Sequence, residues 1–322
     1  MNTTKTASAK IFSKRSKRGE SISPGVDALK RLLKNRMAVI GGSIILIMLI
    51  LAIFAPFIAP KHYSEGDLEL NYATPGEGFI LGADFMGRDL LSRLIYGTRI
   101  SLTIAFLGAL TSFVIGIVYG TISGYIGGKV DNIMMRVVDI IYAFPTLLLI
   151  ILLMVVFKTS LSPVSQGMLI KVMVAVDNYF GGLFFIMIGI GMTSWVGIAR
   201  IARGMTLSLR ETDYVQAARA VGAKNLRLIF KHIMPNLLGP LIISVTFQIP
   251  RFIATEAFLS FIGLGVDPPT PSWGMMISEG YKTMRSYPHL ALYPGIALAL
   301  IMLAFNFLGD GLRDALDPKL KQ

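Results

Sequence analysis

Residues 37–59, MAVIGGSIILIMLILAIFAPFIA, decide the fold class. No Asp, Glu, Lys or Arg interrupts the run, and a helix needs only ~20 apolar residues to cross the ~30 Å hydrocarbon core of a bilayer. The run also outlasts the ~7–15-residue apolar core of a secretory leader and lacks a convincing small-x-small cleavage site. It reads as an uncleaved first membrane-crossing helix.

Working outward, five further runs of similar length lie at 100–124, 133–157, 180–199, 237–261 and 287–308. Together they predict an all-α membrane protein of about six spans. Pro145 and Pro250 fall inside two of the runs; neighbouring helices can satisfy the carbonyls they free, so kinks rather than breaks are expected there. Composition agrees: 53% of residues are hydrophobic, 16% are charged and mean hydropathy is +0.64. Too few charges remain to coat a soluble globule, which excludes a soluble enzyme.

Of the 31 basic residues, twenty-one fall on the side of the N-terminus and eight on the opposite side, while Arg136 and Arg251 lie within spans. Positive charge is retained in the cytoplasm, so both termini are expected inside. The same distribution assigns the net charge of +12 to a membrane surface rather than to nucleic acid. Four segments follow: a basic tail at 1–36, a first helix and outer loop at 37–98, a five-helix membrane domain at 99–310, and a C-terminal tail at 311–322.

The chain has no cysteine, which excludes disulfides, thiolate metal sites and a thiol nucleophile. His62, His232 and His289 show no metal-ligand spacing. No HExxH or GxGD pattern marks an intramembrane protease. Gly127, Gly128 and Lys129 lack both the spaced first glycine and the Ser/Thr of a phosphate-binding loop, so no cofactor, metal or catalytic residue is assigned to this chain.

The long basic loop at 200–236 reads as helix, glycine turn, helix. The segment DYVQAARAV from Asp213 suits a short helix with Thr212 or Asp213 near its N-cap, and Gly222 can supply a positive φ that ends it. In the second helix Leu226, Ile229, Phe230 and Ile233 share one face, and Lys224, Arg227 and Lys231 another. Two readings stay open: a basic amphipathic helix lying on the anionic leaflet, or a docking element for a cytoplasmic partner.

The loop sequence QAARAVG, followed after nine residues by HIMPN, resembles the EAA loop of permeases of bacterial ABC importers. Gln216, Ala217, Ala218, Gly222 and Pro235 match its spacing, with Gln216 standing where the pattern has Glu, and His232 and Met234 where it has Ile and Leu. Three more stretches resemble the peptide-transport branch: LGADFMGRDLLSRLIYGTRISL at 81–102, EAFLSFIGLGVDPPTPSWG at 256–274 and FNFLGDGLRDALDP at 305–318. The likeness spans roughly 29–318 and is greatest to the shorter, C-type permease of oligopeptide and dipeptide importers.

That resemblance implies a type I ABC-importer transmembrane fold in a bacterial inner membrane. It implies a homologous second permease, two cytoplasmic ATPases carrying ATP and Mg, an extracytoplasmic binding protein and a peptide substrate. Related permeases also carry glutathione, murein fragments or nickel chelates. The ATPase-docking residues it suggests are Asp213, Tyr214, Gln216, Ala217, Ala218, Gly222, Arg227, His232, Pro235 and Asn236.

Outside, Arg88, Asp89 and Trp273 are candidates for contact with the binding protein; plain alternatives are a solvated interfacial helix and a headgroup-level anchor. Asp310, Arg313, Asp314 and Asp317 read as a mutually paired helix end. Within the spans, charges cost about 2.5–3.5 kcal/mol each on insertion scales. Arg136 and Asp139 are spaced to pair with each other, and Asp139 is also a candidate for the path. Arg251 and Glu256 are candidates for either the translocation path or a subunit interface. A secondary transporter, with coupling acids near the midplane, is the runner-up function.

Overall fold

The computed structural model describes residues 24–160, 168–179 and 184–316. The basic clusters at 14–18, the start of the run expected at 180–199 and the final residues from 317 lie outside them. Among the described residues helices dominate and β-structure is limited to two isolated bridges, Gly66 with Arg88 and Ala83 with Asp89.

A short amphipathic helix, α1 (Pro24–Lys34), leads into α2 (Arg36–Ile53), whose N-cap Asn35 accepts hydrogen bonds from the amides of Met37 and Ala38. After a loop at 59–89 comes α3 (Leu90–Ile126), capped by Asp89, whose Oδ2 accepts from the Ser92 amide at 2.7 Å. At 37 residues α3 is roughly 55 Å long and outreaches the hydrocarbon core. Then follow α4 (Gly128–Ala143), α5 (Thr146–Ser160), α6 (Met168–Tyr179), α7 (Phe184–Leu209) and the short α8 (Asp213–Ala220). The bundle closes with α9 (Met234–Phe261), α10 (Trp273–Tyr281) and α11 (His289–Leu316).

Among the described residues five helices are long and apolar enough to cross a membrane, and the pair α4–α5, bent by 82° at its break, makes a sixth if it counts as one span. The expected kink at Pro145 is therefore a break. Proline disfavours the α conformation in the residue before it, and Phe144 is extended at φ −80, ψ 134. Pro250 stays inside α9 as anticipated, and so do Pro240 and Pro294 in their helices.

The central contact is α3 against α7, where small residues let the backbones approach. A Cβ added to Gly116, Gly120 or Gly124 would lie 2.6, 2.7 or 2.9 Å from the Cβ of Ile198, Ala202 or Thr206. Around this seam Ile104, Ile150, Phe185, Leu237, Leu241 and Phe252 form the main core, and Leu90, Trp273, Met276, Leu290 and Ile301 a second one nearer the outer loop.

The sequence pairing of Arg136 with Asp139 does not occur. Asp139 instead accepts from Arg200 of α7 at 2.8 Å, and Arg200 also stacks over Tyr142 at 4.2 Å, so the charges tie two helices together rather than two turns of one. At the C-terminal end, Asp314 accepts from Asn35 at 3.1 Å, docking that terminus onto the α1–α2 junction.

Candidate functional site

Two regions are candidates for function: the loop between α7 and α9, and a hollow midway along α9. In the loop, α8 ends in a Schellman turn. The Gly222 amide donates to Arg219 O at 3.0 Å, the Ala223 amide donates to Ala218 O at 3.1 Å, and Gly222 takes φ +85. Thr212 holds the N-cap position, but its hydroxyl donates to Leu209 O at 2.6 Å, so the amides of α8 have no side-chain cap. Asp213 sits in the first turn, where its charge complements the helix dipole.

Beyond Gly222 the chain re-enters helix at Asn225, passes through a π-helical stretch, Leu228–Ile233, and runs unbroken into α9. The wider π turn rotates the expected face. Leu228, Ile229 and Ile233 point inward with Leu237, while Leu226 and Phe230 stand 69% and 61% exposed rather than joining the apolar side. Val221 is 86% exposed beside them, whereas Val215 is fully buried.

The loop is braced on both sides. Asn236 donates to Tyr214 Oη at 3.3 Å and to His232 O at 2.7 Å, Gln216 donates to Arg210 O at 3.2 Å, and Tyr125 donates to Asn225 Oδ1 at 2.8 Å. The structure thus brings Asp213, Tyr214, Gln216, Ala217, Gly222, Arg227, Pro235 and Asn236 to one exposed ledge; Ala218 and His232 are half-buried beneath it. Exposed apolar side chains ringed by Arg219, Lys224, Arg227 and Lys231 form a surface of the kind that meets a protein partner or an anionic leaflet.

The hollow, of about 160 Å³, is walled by three elements. Helix α9 contributes Gln248, Arg251, Phe252 and Thr255; α7 contributes Thr193, Ser194 and Gly197; and the break between α4 and α5 contributes Tyr142 and Thr146. Arg251 lies roughly 15 Å along the helix from its outer end at Phe261 and roughly 26 Å from Met234, placing the charge at mid-depth. Irregular backbone at such depth is tolerated where it lines a cavity, and the Phe144–Pro145 break does so.

Glu256 belongs to neither the path nor a subunit interface. It is fully buried inside this chain, accepting from Ser260 at 2.7 Å and from Ser101 of α3 at 3.3 Å. One helical turn and a rotation separate it from Arg251, enough to bury one charge and expose the other.

The three outer candidates are withdrawn from the surface too. Asp89 is consumed by capping α3. Arg88 donates to Asp84 Oδ2 at 2.7 Å, and Arg93 donates to the same carboxylate and to Glu279 of α10 at 2.7 Å. Trp273 is 0% exposed, packs on Gly97 and donates its indole N–H to Leu94 O at 3.1 Å. These groups fasten the outer loop and α10 to α3. Asp84 and Glu279, which anchor the network, carry no local sequence signal.

Crossing helices packed on small residues, a polar hollow at mid-depth and a braced ledge at one end define a multi-pass transport component of the membrane. Residues 116–322 match the family described as binding-protein-dependent transport system inner membrane component, and residues 23–75 match the N-terminal TM domain of oligopeptide transport permease C. The chain belongs to this family of binding-protein-dependent inner-membrane permeases. It is 41% identical over 303 residues to the oligopeptide transport system permease protein OppC of Bacillus subtilis, covering 94% of this chain and 92% of that one. The dipeptide transport system permease protein DppC of the same organism is 39% identical, with 94% and 88% covered. The glutathione transport system permease protein GsiD of Pectobacterium atrosepticum is 36% identical, with 91% and 90% covered. Among solved structures, an inward-facing form of the MetNI methionine ABC transporter superposes with a TM-score of 0.55 over 71% of this chain and 98% of that chain at 17% identity, a likeness of fold.

Proposed function

We propose that this chain is the C-type permease half of an ATP-driven peptide importer, paired with a homologous permease, two cytoplasmic ATPases and an extracytoplasmic binding protein. One observation carries the reading: the second half of the exposed ledge, beyond the Gly222 turn, and the α9 wall of the mid-membrane hollow lie on one continuous helical run. From Leu228 to Arg251 the chain stays helical for roughly 35 Å, through Pro240 and Pro250, so displacement of the ledge is passed along one helix to the cavity wall. ATP and Mg act on the ATPases, whose closure pushes the ledge and rocks this chain against its partner, exchanging inward-open and outward-open cavities. The kinship with oligopeptide and dipeptide permeases supports a peptide cargo, and glutathione is the related alternative.

The basic-residue asymmetry supports an orientation with both termini and the ledge in the cytoplasm. Deletion of this chain, followed by measurement of labelled tripeptide uptake and of ATPase copurification with the remaining membrane complex, tests the proposal. Loss of both is expected. Uptake unchanged by the deletion overturns it, and labelling of a cysteine at Lys224 by an impermeant maleimide in intact cells overturns the orientation.

A further inference from the structure

The hollow is furnished with hydrogen-bond donors and contains no carboxylate. Arg251 is exposed into it, and among the described residues no acid is bonded to its guanidinium. Gln248 uses its Oε1 to accept from Ser112 at 3.1 Å, which leaves the Nε2 amide as its unspent group on the wall. Ser194 Oγ, on the facing helix α7, is buried without a partner among the described residues.

The two nearby threonines do not add donors. Thr255 donates its hydroxyl to Arg251 O at 2.8 Å, and Thr193 donates to Gly189 O and Ile190 O at 3.2 Å each. Another part of the wall is the start of α5 at Thr146, the positive end of a helix dipole turned onto the same space by the break at Pro145, and Ile150, Ile190, Val196 and Phe252 make the rest largely apolar. A guanidinium, an amide, a hydroxyl and a helix N-terminus converge from three elements on one hollow of about 160 Å³. What such a set stabilises is a small oxyanion; a bare cation is repelled. The hollow far exceeds the ~10–15 Å³ that one water occupies and has room for one end of a peptide chain.

We propose that Arg251, with Gln248 and Ser194, forms a subsite for the C-terminal carboxylate of the transported peptide. The proposal rests on the peptide-importer reading above. A planar guanidinium grips a carboxylate through two parallel N–H···O bonds, which a C-terminal amide cannot accept with equal charge. The rest of the peptide extends from the hollow toward the second permease. A carboxylate is common to peptides of every sequence, so this contact holds the cargo without reading its side chains. The competing occupant is an acidic side chain of the second permease, paired with Arg251 whether or not cargo is present.

The test uses the assembled importer in lipid nanodiscs without its binding protein, with labelled trialanine and trialanine amide presented directly. The acid is expected to bind about tenfold more tightly than the amide, the scale of one charge-assisted pair. Arg251→Gln closes the gap, and Arg251→Lys keeps part of it. Equal binding of acid and amide to the wild-type complex, no binding of either, or a gap that survives Arg251→Gln overturns the subsite. The wild-type comparison stands even if the glutamine variant fails to assemble; assembly lost in that variant with no wild-type gap assigns Arg251 to the partner permease. Cells whose trialanine uptake depends on this chain, but whose nanodisc complex is blind to the amide, retain the importer reading while losing the carboxylate site.

Discussion

Arg203 of α7 grips Asp131 of α4 with two hydrogen bonds at once, Nε to Oδ1 at 2.5 Å and a terminal nitrogen to Oδ2 at 2.6 Å, while Ser123 of α3 donates to the same carboxylate at 2.5 Å. Three helices therefore meet on one carboxyl group, close to where α7 leaves the bundle toward the ledge. The neighbouring pair, Arg200 with Asp139, is much more open, its side chains 39% and 54% exposed. Burial decides which pair matters.

Asp131→Asn is expected to destabilise the assembled complex by about 1–3 kcal/mol, since the guanidinium and the serine hydroxyl lose a charged acceptor in a partly buried place. Asp139→Asn at the exposed pair should cost ~0–1 kcal/mol. Thermal unfolding of the two detergent-solubilised variants checks the order. Equal shifts would show that the buried pair gains nothing from its geometry.

Trp273 anchors the outer segment, so its truncation should act as a core mutation rather than as loss of a partner contact. Trp273→Ala removes the side chain over Gly97 and is expected to cost about 3–5 kcal/mol. Trp273→Phe keeps most of the volume and loses the bond to Leu94 O, costing about 1–2 kcal/mol. Uptake per molecule of folded permease should then stay near wild type in the phenylalanine variant. A normal folded yield with specifically lost binding-protein association would contradict the buried role.

Six crossings were legible because lipid demands uninterrupted apolar length, a one-dimensional property. What the chain does at Phe144 and Pro145 was harder to read: proline permits either a kink or a break, and the outcome depends on whether a polar hollow waits beside it. Trp273 looked like a surface group because its partner, Leu94 O, is remote in sequence, while Arg88 and Asp89 are tied to near neighbours, Asp84 and Ser92, whose burial comes from the packing of α10 on α3. Glu279 lies 186 residues from Arg93, and nothing local announces it. The positive φ that ends α8 at Gly222 was legible, being set within a few residues. The π-helical stretch after it was not, since apolar spacing was read at 3.6 residues per turn and the wider turn sent Leu226 and Phe230 outward. The hollow itself went unseen for a similar reason, because Gln248, Ser194 and Thr146 converge only in three dimensions.

Glu256 and Arg251, five residues apart on α9, should respond oppositely to removal. Glu256→Ala leaves the hydroxyls of Ser101 and Ser260 without their acceptor and opens a void, an expected loss of about 2–4 kcal/mol. Glu256→Gln keeps both the shape and an acceptor and should restore most of the abundance. Arg251→Gln, at an exposed position, should leave the amount of permease in the membrane near wild type. Quantitative immunoblotting of membrane fractions checks all three; equal depletion of Arg251→Gln and Glu256→Ala would contradict their separate environments.

The ledge makes the sharpest mechanical prediction, because at Gly222 space and conformation can be separated. A Cβ there would meet nothing within 4 Å, so a side chain is not excluded by crowding. The cost lies in φ +85, which a β-branched residue adopts only with strain of about 1–2 kcal/mol, whereas asparagine tolerates the left-handed region. Gly222→Val should unwind the Schellman turn and displace Val221 and Lys224, while the bundle, anchored independently through Leu228, Ile233 and Leu237, keeps its thermal stability. Gly222→Asn should preserve the turn. If the ledge docks the ATPases, the valine variant loses ATPase copurification and peptide uptake while the asparagine variant keeps both, and Ala218→Glu, which forces charge into a half-buried position under the turn, behaves like valine. If the ledge only lies on lipid, both Gly222 variants retain the ATPases, and neutralising Lys224, Arg227 and Lys231 together is the change that matters. Retention of ATPase and uptake in Gly222→Val and Ala218→Glu alike would remove this loop from the coupling path.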